Sequence, residues 1–388
     1  MRKAAILGYG AVPVGIYQRV KDGSDPPLEH ELGVKVVLDA VEMAGLTKED
    51  LNGVVVAHPG DHTKQGYFHT FLTAYLGLTA RSIVMQVLGN GMTAGLAFDQ
   101  GLRMVQGGET DCVLVIAAHY ESGTPTADHL NFSIRLTGDV DFQSIYGAVP
   151  ISWYAMGARR YMHDFKVTRA QTAEVAVKNR RQAVLNPLAQ FRTPITLDDW
   201  ANSRPIADPI RLFDCSLEHD GAVALLVTTL ERARDLAPVP AVVLAHGHCD
   251  GPIHVDLATF FAETALYGER DTGALRFGRE LFASAGIVPS DVDAAMIFDH
   301  FTMAVPLSLE QYGFCELGGG GPFVASGATG RGGALPVNTH GGSNGEAFVH
   351  GVNHLSEAVR QIRGTSANQV SGVEVTFVCG SITDPSGA

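Results

Sequence analysis

The residues best suited to binding or catalysis lie late in the chain, in residues 338–351, which have the sequence NTHGGSNGEAFVHG. The stretch opens with a polar turn, passes Gly341 and Gly342, and continues into small residues typical of a helix start. Glycine tolerates positive φ angles and lets a ligand or another backbone approach closely. A helix start also offers unpaired N–H groups and a positive dipole end, so this stretch is suited to hold a carbonyl oxygen or an anion.

Several histidines could move protons. His340 and His350 lie inside this stretch, His300 follows Asp299 after an apolar run, and His58 ends an earlier apolar run. An imidazole has an unperturbed pKa near ~6.5, which suits proton transfer at neutral pH. Asp299 could orient a neighbouring histidine. The alternative for each one is a hydrogen-bonded core histidine, since the chain contains 15 of them.

Composition limits the class of partner. The formal net charge of −13 argues against binding nucleic acid or an anionic membrane surface. The five cysteines are scattered and form no C-x-x-C pair, which favours reduced thiols in the cytoplasm over a disulfide framework. No apolar run approaches the ~18 residues of a membrane span, and the start of the chain is not typical of a signal peptide.

Three weaker signals lead to no cofactor. His246, His248, Cys249 and Asp250 are metal-ligand types, but their separations fit no standard zinc pattern, so no metal is expected. The first strand carries a partial dinucleotide loop that lacks its third glycine. Cys379 ends a late apolar run, and from residue type alone it is interpreted as a buried inert thiol.

Apolar runs alternate with helical patterns, which predicts an α/β layer architecture. Residues 121–205 break this alternation and are predicted to form an inserted, mostly helical loop domain. Lys178, Arg180 and Arg181 within it could meet phosphates or form a solvated helix face.

The second half of the chain repeats the first. Residues 44–56 match residues 285–297, and residues 95–101 match residues 345–351, in the same order. Two matches in order indicate an internal duplication, with strand ends facing a shared crevice. The expected boundaries are 1–120 with 206–235 for the first half, 121–205 for the insert, and 236–388 for the second half.

Together these features resemble the thiolase superfamily, in particular its sterol-carrier-protein thiolases and steroid side-chain aldolases. Four segments carry the resemblance: residues 338–351, 298–302, 214–222 and 359–370. The resemblance covers nearly the whole chain. It implies a duplicated five-layer α-β-α-β-α thiolase fold, a homodimer, and a coenzyme A thioester as substrate. It also implies a small zinc-ribbon/OB-fold partner protein that delivers the thioester.

The sequence departs from the family at its reactive positions. Gly91 stands where a thiolase has its nucleophilic cysteine, so a covalent acyl-enzyme of the usual kind is not expected. The family's Gly-His dipeptide aligns with Ala347 and Phe348, and the histidine of its His-Asp-Cys-Phe motif aligns with Phe298. In the aldolase relatives both of these positions are tyrosine, so the phenolic proton is also absent here.

The first hypothesis is therefore a non-covalent enzyme of lipid or steroid degradation that cleaves a β-hydroxyacyl-CoA by a retro-aldol reaction. His340, His350 or His300 would remove the hydroxyl proton. Helix N–H groups near Gly91, with Asn338, would stabilise the enolate oxygen. The substrate-binding surface would include Gly341, Gly342, Phe298 and Phe348.

Two alternatives remain open. Phenylalanine at both lost proton-transfer positions is also expected of a non-catalytic subunit in a heteromeric thiolase or acyltransferase assembly. Acyl transfer through Cys379 or a partner's nucleophile is the other. The aromatic residues Phe142, Tyr146, Trp153 and Tyr154 hint at a ring-bearing acyl group, although aromatic side chains are also ordinary core residues.

Overall fold

The computed structural model describes residues 2–12, 15, 28–58, 65–78, 83–88, 92–120, 131, 134, 141, 144–147, 149–216, 219–237, 239–248, 273–380 and 386–388. The strands are β1 (Ala4–Ala11), β2 (Gly53–Ala57), β3 (Ile83–Val87), β4 (Cys112–Tyr120), β5 (Pro205–Ala207), β6 (Ile210–Arg211), β7 (Asp220–Thr229), β8 (Ala241–Val242), β9 (Gly247–His248), β10 (Ala294–Ile297), β11 (Thr376–Cys379) and β12 (Ser386–Gly387). The helices are α1 (Glu29–Met43), α2 (Phe68–Leu76), α3 (Thr93–Gly107), α4 (Pro150–Phe165), α5 (Arg169–Ala183), α6 (Leu197–Asn202), α7 (Leu230–Leu236), α8 (Gly273–Ala285), α9 (Ala304–Gln311), α10 (Gly320–Ala325) and α11 (Val352–Arg363).

Two main sheets organise these elements. The first has the strand order β3-β2-β4-β7-β1-β8, with β2 parallel to β3 and β4, and antiparallel pairing from β4 onward. The second has the order β10-β11-β12-β9, with β10 parallel to β11. Every residue of β2, β7 and β10 is buried, which explains their continuous apolar runs, since strands covered on both faces lose the alternating pattern.

Helices cover both faces of each sheet. Apolar residues of α3 and α11 pack between the two sheets in one core. A second core joins α1 and α2 to the outer face of the first sheet, and a third joins α8, α9 and α10 to the outer face of the second. The predicted α-β-α-β-α layering is confirmed.

The duplication is visible in local geometry. Helix α1 ends before Gly45 at φ 64°, and α8 ends before Gly286 at φ 72°. Each glycine is followed by a short 3-10 helix, Lys48–Asp50 in the first half and Pro289–Asp291 in the second, and then by a buried parallel strand. A left-handed residue after the last turn is the usual glycine termination of a helix. The repeated sequence pattern therefore encodes a repeated α-turn-β unit.

Helix α5 ties the inserted region to the late stretch, and here the expectation for its basic residues was wrong. Lys178 Nζ donates to Val337 O at 2.6 Å, and Arg180 Nε donates to Asn344 O at 3.1 Å. Both side chains are buried, so neither forms a solvated helix face, and their donors are directed at backbone oxygens. They hold α5 against residues 337–344, and of the three residues Lys178, Arg180 and Arg181 only Arg181 is exposed.

No helix in the described ranges is both long enough and apolar enough to cross a membrane.

Candidate active site

Strand ends from the two sheets converge on one group of rings. His119 lies near the end of β4 in the first sheet, and Phe298 follows β10 in the second. Phe298 N donates to Cys379 O at 3.0 Å, which continues the pairing of β10 with β11 and directs the next residues toward the first sheet. These side chains therefore meet near strand ends of the two halves, as the duplication predicts.

Five side chains form what we call the ring cluster: His119, Phe298, His300, Phe348 and His350. The His119 and His350 ring centroids lie 4.2 Å apart, edge to face, and Phe348 lies 5.5 Å from His119 and 4.9 Å from His350. Phe298 lies 5.7 Å from Phe348 and 5.0 Å from His300. The two phenylalanines at the altered family positions are thus neighbours, with an imidazole on either side.

Asn338 shapes the start of the late stretch. It adopts a positive φ of 50°, a conformation that asparagine tolerates better than most residues. Its side-chain oxygen accepts from Ile297 N at 2.8 Å, and its amide nitrogen donates to Ile297 O at 2.8 Å. Both ends of the amide therefore bind backbone at the end of β10, and these contacts fix the start of the late stretch against that strand.

Asp299 anchors the same stretch from the other side. Its Oδ1 accepts from Ser343 N at 2.7 Å and lies 3.3 Å from His354 Nε2, while its Oδ2 accepts from Asn179 Nδ2 at 2.5 Å. Burial by itself raises the pKa of this carboxyl, but the hydrogen bonds and charge of His354, with the Ser343 N–H, bring the pKa below its ordinary value. Asp299 is therefore a buried carboxylate held by three donors.

Both predicted glycines are required by close packing. Gly342 has φ 63°, and a Cβ built there would lie 2.1 Å from Asp299 Oδ2. Gly341 has φ 110°, and a Cβ there would lie 2.8 Å from the Cβ of Ala183, the last residue of α5. The double glycine lets the stretch pass between Asp299 and α5, so its role is to allow close approach of protein to protein.

His350 links the late stretch to the first half. It has a positive φ of 46°, and its carbonyl oxygen accepts from Ala94 N at 3.1 Å in the first turn of α3. The His350 backbone therefore lies at the N-terminal end of α3, where the helix dipole favours a developing negative charge. Gly91, the predicted oxyanion position, lies just outside the described residues.

His300 lies at the edge of the cluster against Tyr154, with ring centroids 4.4 Å apart. Its two ring nitrogens are buried, and they have no hydrogen-bond partner among the residues that the structure describes. Burial lowers the pKa of His300 to about 3, with a smaller opposing effect from Asp299, so the imidazole is neutral at physiological pH. A ring so hard to protonate is a weak base.

His340 is separate from the ring cluster. Its ring meets His354, with centroids 4.7 Å apart, and its carbonyl oxygen accepts from Asn186 Nδ2 at 2.8 Å. Burial, together with the positive groups His354, Arg360 and Lys178, lowers the pKa of His340 well below its ordinary value.

His58 does follow β2 as predicted, but its contacts lie elsewhere. His58 N donates to Val87 O at 2.8 Å beside the edge strand β3. Burial lowers the pKa of His58, helped by nearby His69 and opposed by a hydrogen bond with the Gly66 backbone. None of these contacts involves the ring cluster.

Sequence reasoning missed three buried residues of the site: His119, Asn179 and His354. The strand-end argument that selected His58 applies equally to His119, which lies near the end of β4 and could have been found in that way. Asn179 and His354 lie within α5 and α11, and no motif marked them. Of the aromatic residues expected near the acyl group, Tyr154 touches the cluster, Tyr146 is 81% exposed, and Phe142 lies outside the described residues.

The described cysteines are poor nucleophiles. Burial raises the pKa of Cys379 well above its ordinary value, and raises the pKa of Cys112, Cys215 and Cys315 to about 12 each. All four thiols therefore stay protonated at neutral pH, whereas the nucleophilic form is the thiolate. Cys249 lies outside the described residues.

His246 is held by protein groups. Its Nδ1 lies 2.7 Å from Asp99 Oδ1 and its Nε2 lies 3.0 Å from Gln106 Oε1, both on α3. Both ring nitrogens are engaged, which gives His246 a structural role between α3 and the start of β9. Of the other metal-ligand types noted in the sequence, Cys249 and Asp250 lie outside the described residues.

The layered fold and the late Asn-Thr-His-Gly-Gly stretch define a class. Residues 21–228 match the model of the thiolase N-terminal domain, and residues 269–382 match the model of the thiolase C-terminal domain-like family. The chain belongs to the thiolase family.

Similar proteins indicate which branch of the thiolase family the chain resembles. The chain is 36% identical to the 17-hydroxy-3-oxo-4-pregnene-20-carboxyl-CoA lyase of Mycobacterium tuberculosis (strain ATCC 25618 / H37Rv), over 97% of this chain and 95% of that protein. It is 44% identical to a steroid side-chain-cleaving aldolase of Thermomonospora curvata, over 59% of this chain and 58% of that protein. Among solved structures it resembles the Ltp2-ChsH2(DUF35) aldolase, with a TM-score of 0.84, 34% identity, and coverage of 99% and 96% of the two chains. The resemblance to the steroid side-chain aldolase branch is confirmed.

Proposed function

We propose that this protein is an acyl-CoA lyase that cleaves the Cα–Cβ bond of a β-hydroxyacyl-CoA by a retro-aldol reaction. The observation that carries the proposal is the His119–His350 imidazole pair at the N-terminal end of α3, within a thiolase fold. The names of the two relatives, a CoA lyase and a side-chain-cleaving aldolase, support the same reaction class.

The cysteines that the structure describes are buried with raised pKa values, which favours a non-covalent route. Gly91 replaces the expected nucleophile, and Cys379 is fully buried with a raised pKa. Retro-aldol cleavage needs no covalent intermediate, because the substrate already carries the hydroxyl whose deprotonation starts bond cleavage. It needs a base near that hydroxyl and donors near the thioester oxygen.

We assign the role of base to His350. It removes the β-hydroxyl proton, the O–H electron pair forms the new carbonyl, and the Cα–Cβ pair stays on the acyl-CoA as an enolate. The positive dipole end of α3 stabilises the enolate oxygen, and the α-carbon then takes a proton. His119, in edge contact with His350, fixes the orientation of the base.

The other histidine candidates are less suitable. His300 has a pKa of about 3, so it holds a proton too weakly to act as an effective base near neutral pH. His340 touches His354 and is outside the ring cluster. His58 lies at the β3 edge, among contacts with Val87, His69 and Gly66.

The aromatic side chains in and beside the ring cluster favour a large, ring-bearing acyl group. Tyr154 packs against His300 and lies 4.8 Å from Phe301, which extends the aromatic surface beyond the ring cluster. Flat apolar faces suit a fused-ring substrate because they bury much area with little loss of conformational freedom. Together with the names of the relatives, this leads us to propose a steroid-derived acyl-CoA.

A homodimer is proposed through the β3 edge. Strand β3 pairs with β2 only, within the described residues, and Ile83 at its start is 38% exposed. Tyr67, the residue just before α2, and Phe71 and Tyr75 on that helix are 73%, 43% and 53% exposed, at the spacing of one helix face. An unpaired strand edge beside an apolar stripe is what a second copy could cover.

A second, smaller partner is also proposed. The similar solved structure is named as an aldolase with a ChsH2(DUF35) component. We infer that a small zinc-ribbon/OB-fold protein delivers the CoA thioester to this chain as well.

The test is turnover of a β-hydroxyacyl-CoA by the purified chain, with and without the OB-fold partner, followed by mass spectrometry. A steroid-derived substrate and a straight-chain control should be compared. We expect release of a ketone or aldehyde and a shortened acyl-CoA from the steroid-derived substrate. Cleavage in neither state would instead favour the non-catalytic subunit. Iodoacetamide should leave turnover unchanged. Loss of turnover after this treatment would instead favour acyl transfer through a cysteine.

A further inference from the structure

A second cavity lies beside the late stretch, and none of the five ring-cluster residues lines it. Its volume is about 400 Å³, within the range of roughly 300–1,000 Å³ that is usual for small-molecule pockets. The wall comes from β1 and α1 of the first half, from the residues after α5 in the insert, and from α11 and the residues after it. A molecule bound here would contact all three parts of the chain and leave the proposed active site open.

Several polar side chains of this wall already have hydrogen-bond partners. Asn186 Nδ2 donates to His340 O and to Glu346 Oε2, at 2.8 Å in both cases. Ser366 Oγ donates to Glu357 Oε1 at 2.6 Å. These groups are engaged within the protein, so they contribute little to the binding of another molecule.

Three polar groups of the wall have no such partner. Arg360 uses Nη2 and Nε, which lie 3.3 Å from Ser356 Oγ and 2.9 Å from Glu357 Oε2, but its Nη1 makes no hydrogen bond to a described residue. The Tyr9 hydroxyl makes none within the same ranges, and neither do the two ring nitrogens of His340, which is 1% exposed. Buried polar groups are normally paired, so these three indicate a polar occupant of the cavity.

Two of the unpaired donors are neighbours. The guanidinium carbon of Arg360 lies 5.9 Å from the centroid of the Tyr9 ring, and Arg360 is itself only 6% exposed. A guanidinium nitrogen and a phenolic hydroxyl can both donate to one carboxylate. Because a charge-assisted hydrogen bond is roughly twice as strong as a neutral one, a carboxylate satisfies this pair better than a neutral oxygen does.

The other charges favour an occupant with a single negative charge. Besides Glu357, a second carboxylate flanks Arg360, since Glu346 Oε2 lies 3.8 Å from Arg360 Nη2. Asp39 also lines the cavity and pairs with Lys35 at 2.8 Å. One arginine among these carboxylates would leave a dianion such as phosphate with uncompensated repulsion.

The exposed part of the wall is apolar. Met43 is 49% exposed, and Pro187 and Ala367 are also exposed. Leu188, which is partly buried, lies on the same wall. An apolar body attached to the carboxylate would remove these side chains from water, which is favourable in proportion to the area covered.

We propose that this cavity binds a small monocarboxylic acid with an apolar body, with its carboxylate at Arg360 Nη1 and the Tyr9 hydroxyl. The site is separate from the ring cluster, and the proposal does not depend on the lyase reaction.

The first test is calorimetry on the purified chain, with sodium benzoate, benzamide and inorganic phosphate as probes at matched ionic strength. Benzoate should bind in a saturable way. Benzamide has the same ring without the charge and should bind at least about tenfold more weakly, and phosphate should also bind more weakly than benzoate. Absence of saturable benzoate binding, or equal affinity for benzoate and benzamide, would overturn the proposal.

The second test uses variants that locate the bound benzoate. Ala367→Trp places a large ring on the wall of the cavity and should abolish binding, whereas Ala201→Trp, at an exposed position on α6, is the matched control and should bind as the parent does. Tyr9→Phe keeps the ring, removes the unpaired hydroxyl, and should weaken binding by roughly tenfold.

Urea unfolding shows whether each variant is folded. Tyr9→Phe and Ala367→Trp should both keep the urea midpoint of the parent, because one loses a hydroxyl without a partner and the other changes an exposed residue. Unchanged benzoate affinity in folded Ala367→Trp would place the benzoate elsewhere on the protein and overturn the site.

Discussion

The His350 imidazole meets the His119 imidazole edge to face, with ring centroids 4.2 Å apart. His119 belongs to β4 in the first half of the duplication, and His350 directly precedes the glycine before α11 in the second half. Neither half can form this pair alone. The site is therefore a product of how the two sheets pack across α3 and α11.

The pair leads to a first prediction. His350→Ala should lower kcat by roughly 10²- to 10⁴-fold, the usual range for loss of a general base. His119→Ala should have a smaller effect, about tenfold, because His119 acts by orienting His350. Steady-state kinetics with the steroid-derived thioester measures both, with His163→Ala as the exposed control. Comparable activity in all three variants would place the base elsewhere.

The close contact at Gly342 gives a second prediction. Gly342→Ala should destabilise the protein by roughly 3 kcal/mol or more and displace Asp299, since its Cβ would lie 2.1 Å from Asp299 Oδ2. Gly45→Ala is the matched control, because Gly45 has a similar φ of 64° but no atom within 4 Å of the added Cβ. That change should cost only about 1 kcal/mol for the left-handed backbone.

Urea unfolding of the two alanine variants separates backbone strain from the contact with Asp299. Equal losses would mean that the backbone conformation alone requires glycine at position 342. A larger loss for Gly342→Ala, accompanied by reduced turnover, is the expected result.

The two clustered phenylalanines should respond differently to a hydroxyl group. Phe298 is 1% exposed, so Phe298→Tyr should lower the free energy of unfolding by about 1–3 kcal/mol for a buried hydroxyl without a partner. Phe348 is only partly buried, so Phe348→Tyr should cost less than about 1 kcal/mol. The comparison is made from urea midpoints at constant m-value. A Phe298→Tyr variant as stable as the parent would reveal an acceptor inside the cluster.

His300 makes stability depend on pH. Its folded pKa of about 3 lies below the unfolded value of ~6.5, so between these values the unfolded chain binds more protons. This contribution to stability is present above about pH 6.5 and is lost as pH falls toward about 3, with a slope of up to about 1.4 kcal/mol per pH unit.

Replacing His300 by Phe removes this proton while keeping an aromatic ring against Tyr154. The variant should therefore lose stability less steeply than the parent between pH 6.5 and 4.5, as followed by urea unfolding at several pH values. The exposed control His163→Ala should follow the parent curve. Parallel slopes for the parent and His300→Phe would show that His300 is protonated in the folded protein over this range.

Periodicity and repetition in the sequence predicted an α/β architecture and its duplication, and the resemblance to the thiolase superfamily supplied the five-layer arrangement. Continuous apolar runs such as β2 and β10 identify strands covered on both faces, because burial on both sides removes alternation. The repeated glycine after α1 and α8 indicated the duplication, since both positions need a left-handed backbone. Local chemistry also marked the late stretch as the place where the chain must pass close to its neighbours.

The contacts that each side chain makes in the folded protein could not be predicted from the sequence in the same way. The sequence alone determined the duplicated α/β fold, the loss of the nucleophilic cysteine, and part of the candidate site, but not His119, Asn179 or His354. Only the tertiary structure decided that His119 and not His58 faces His350, and that Asn338 binds the Ile297 backbone. It also decided that His340 faces a separate cavity. The physical reason is range: strand and helix patterns depend on neighbours a few residues apart, whereas these contacts join residues from separate layers.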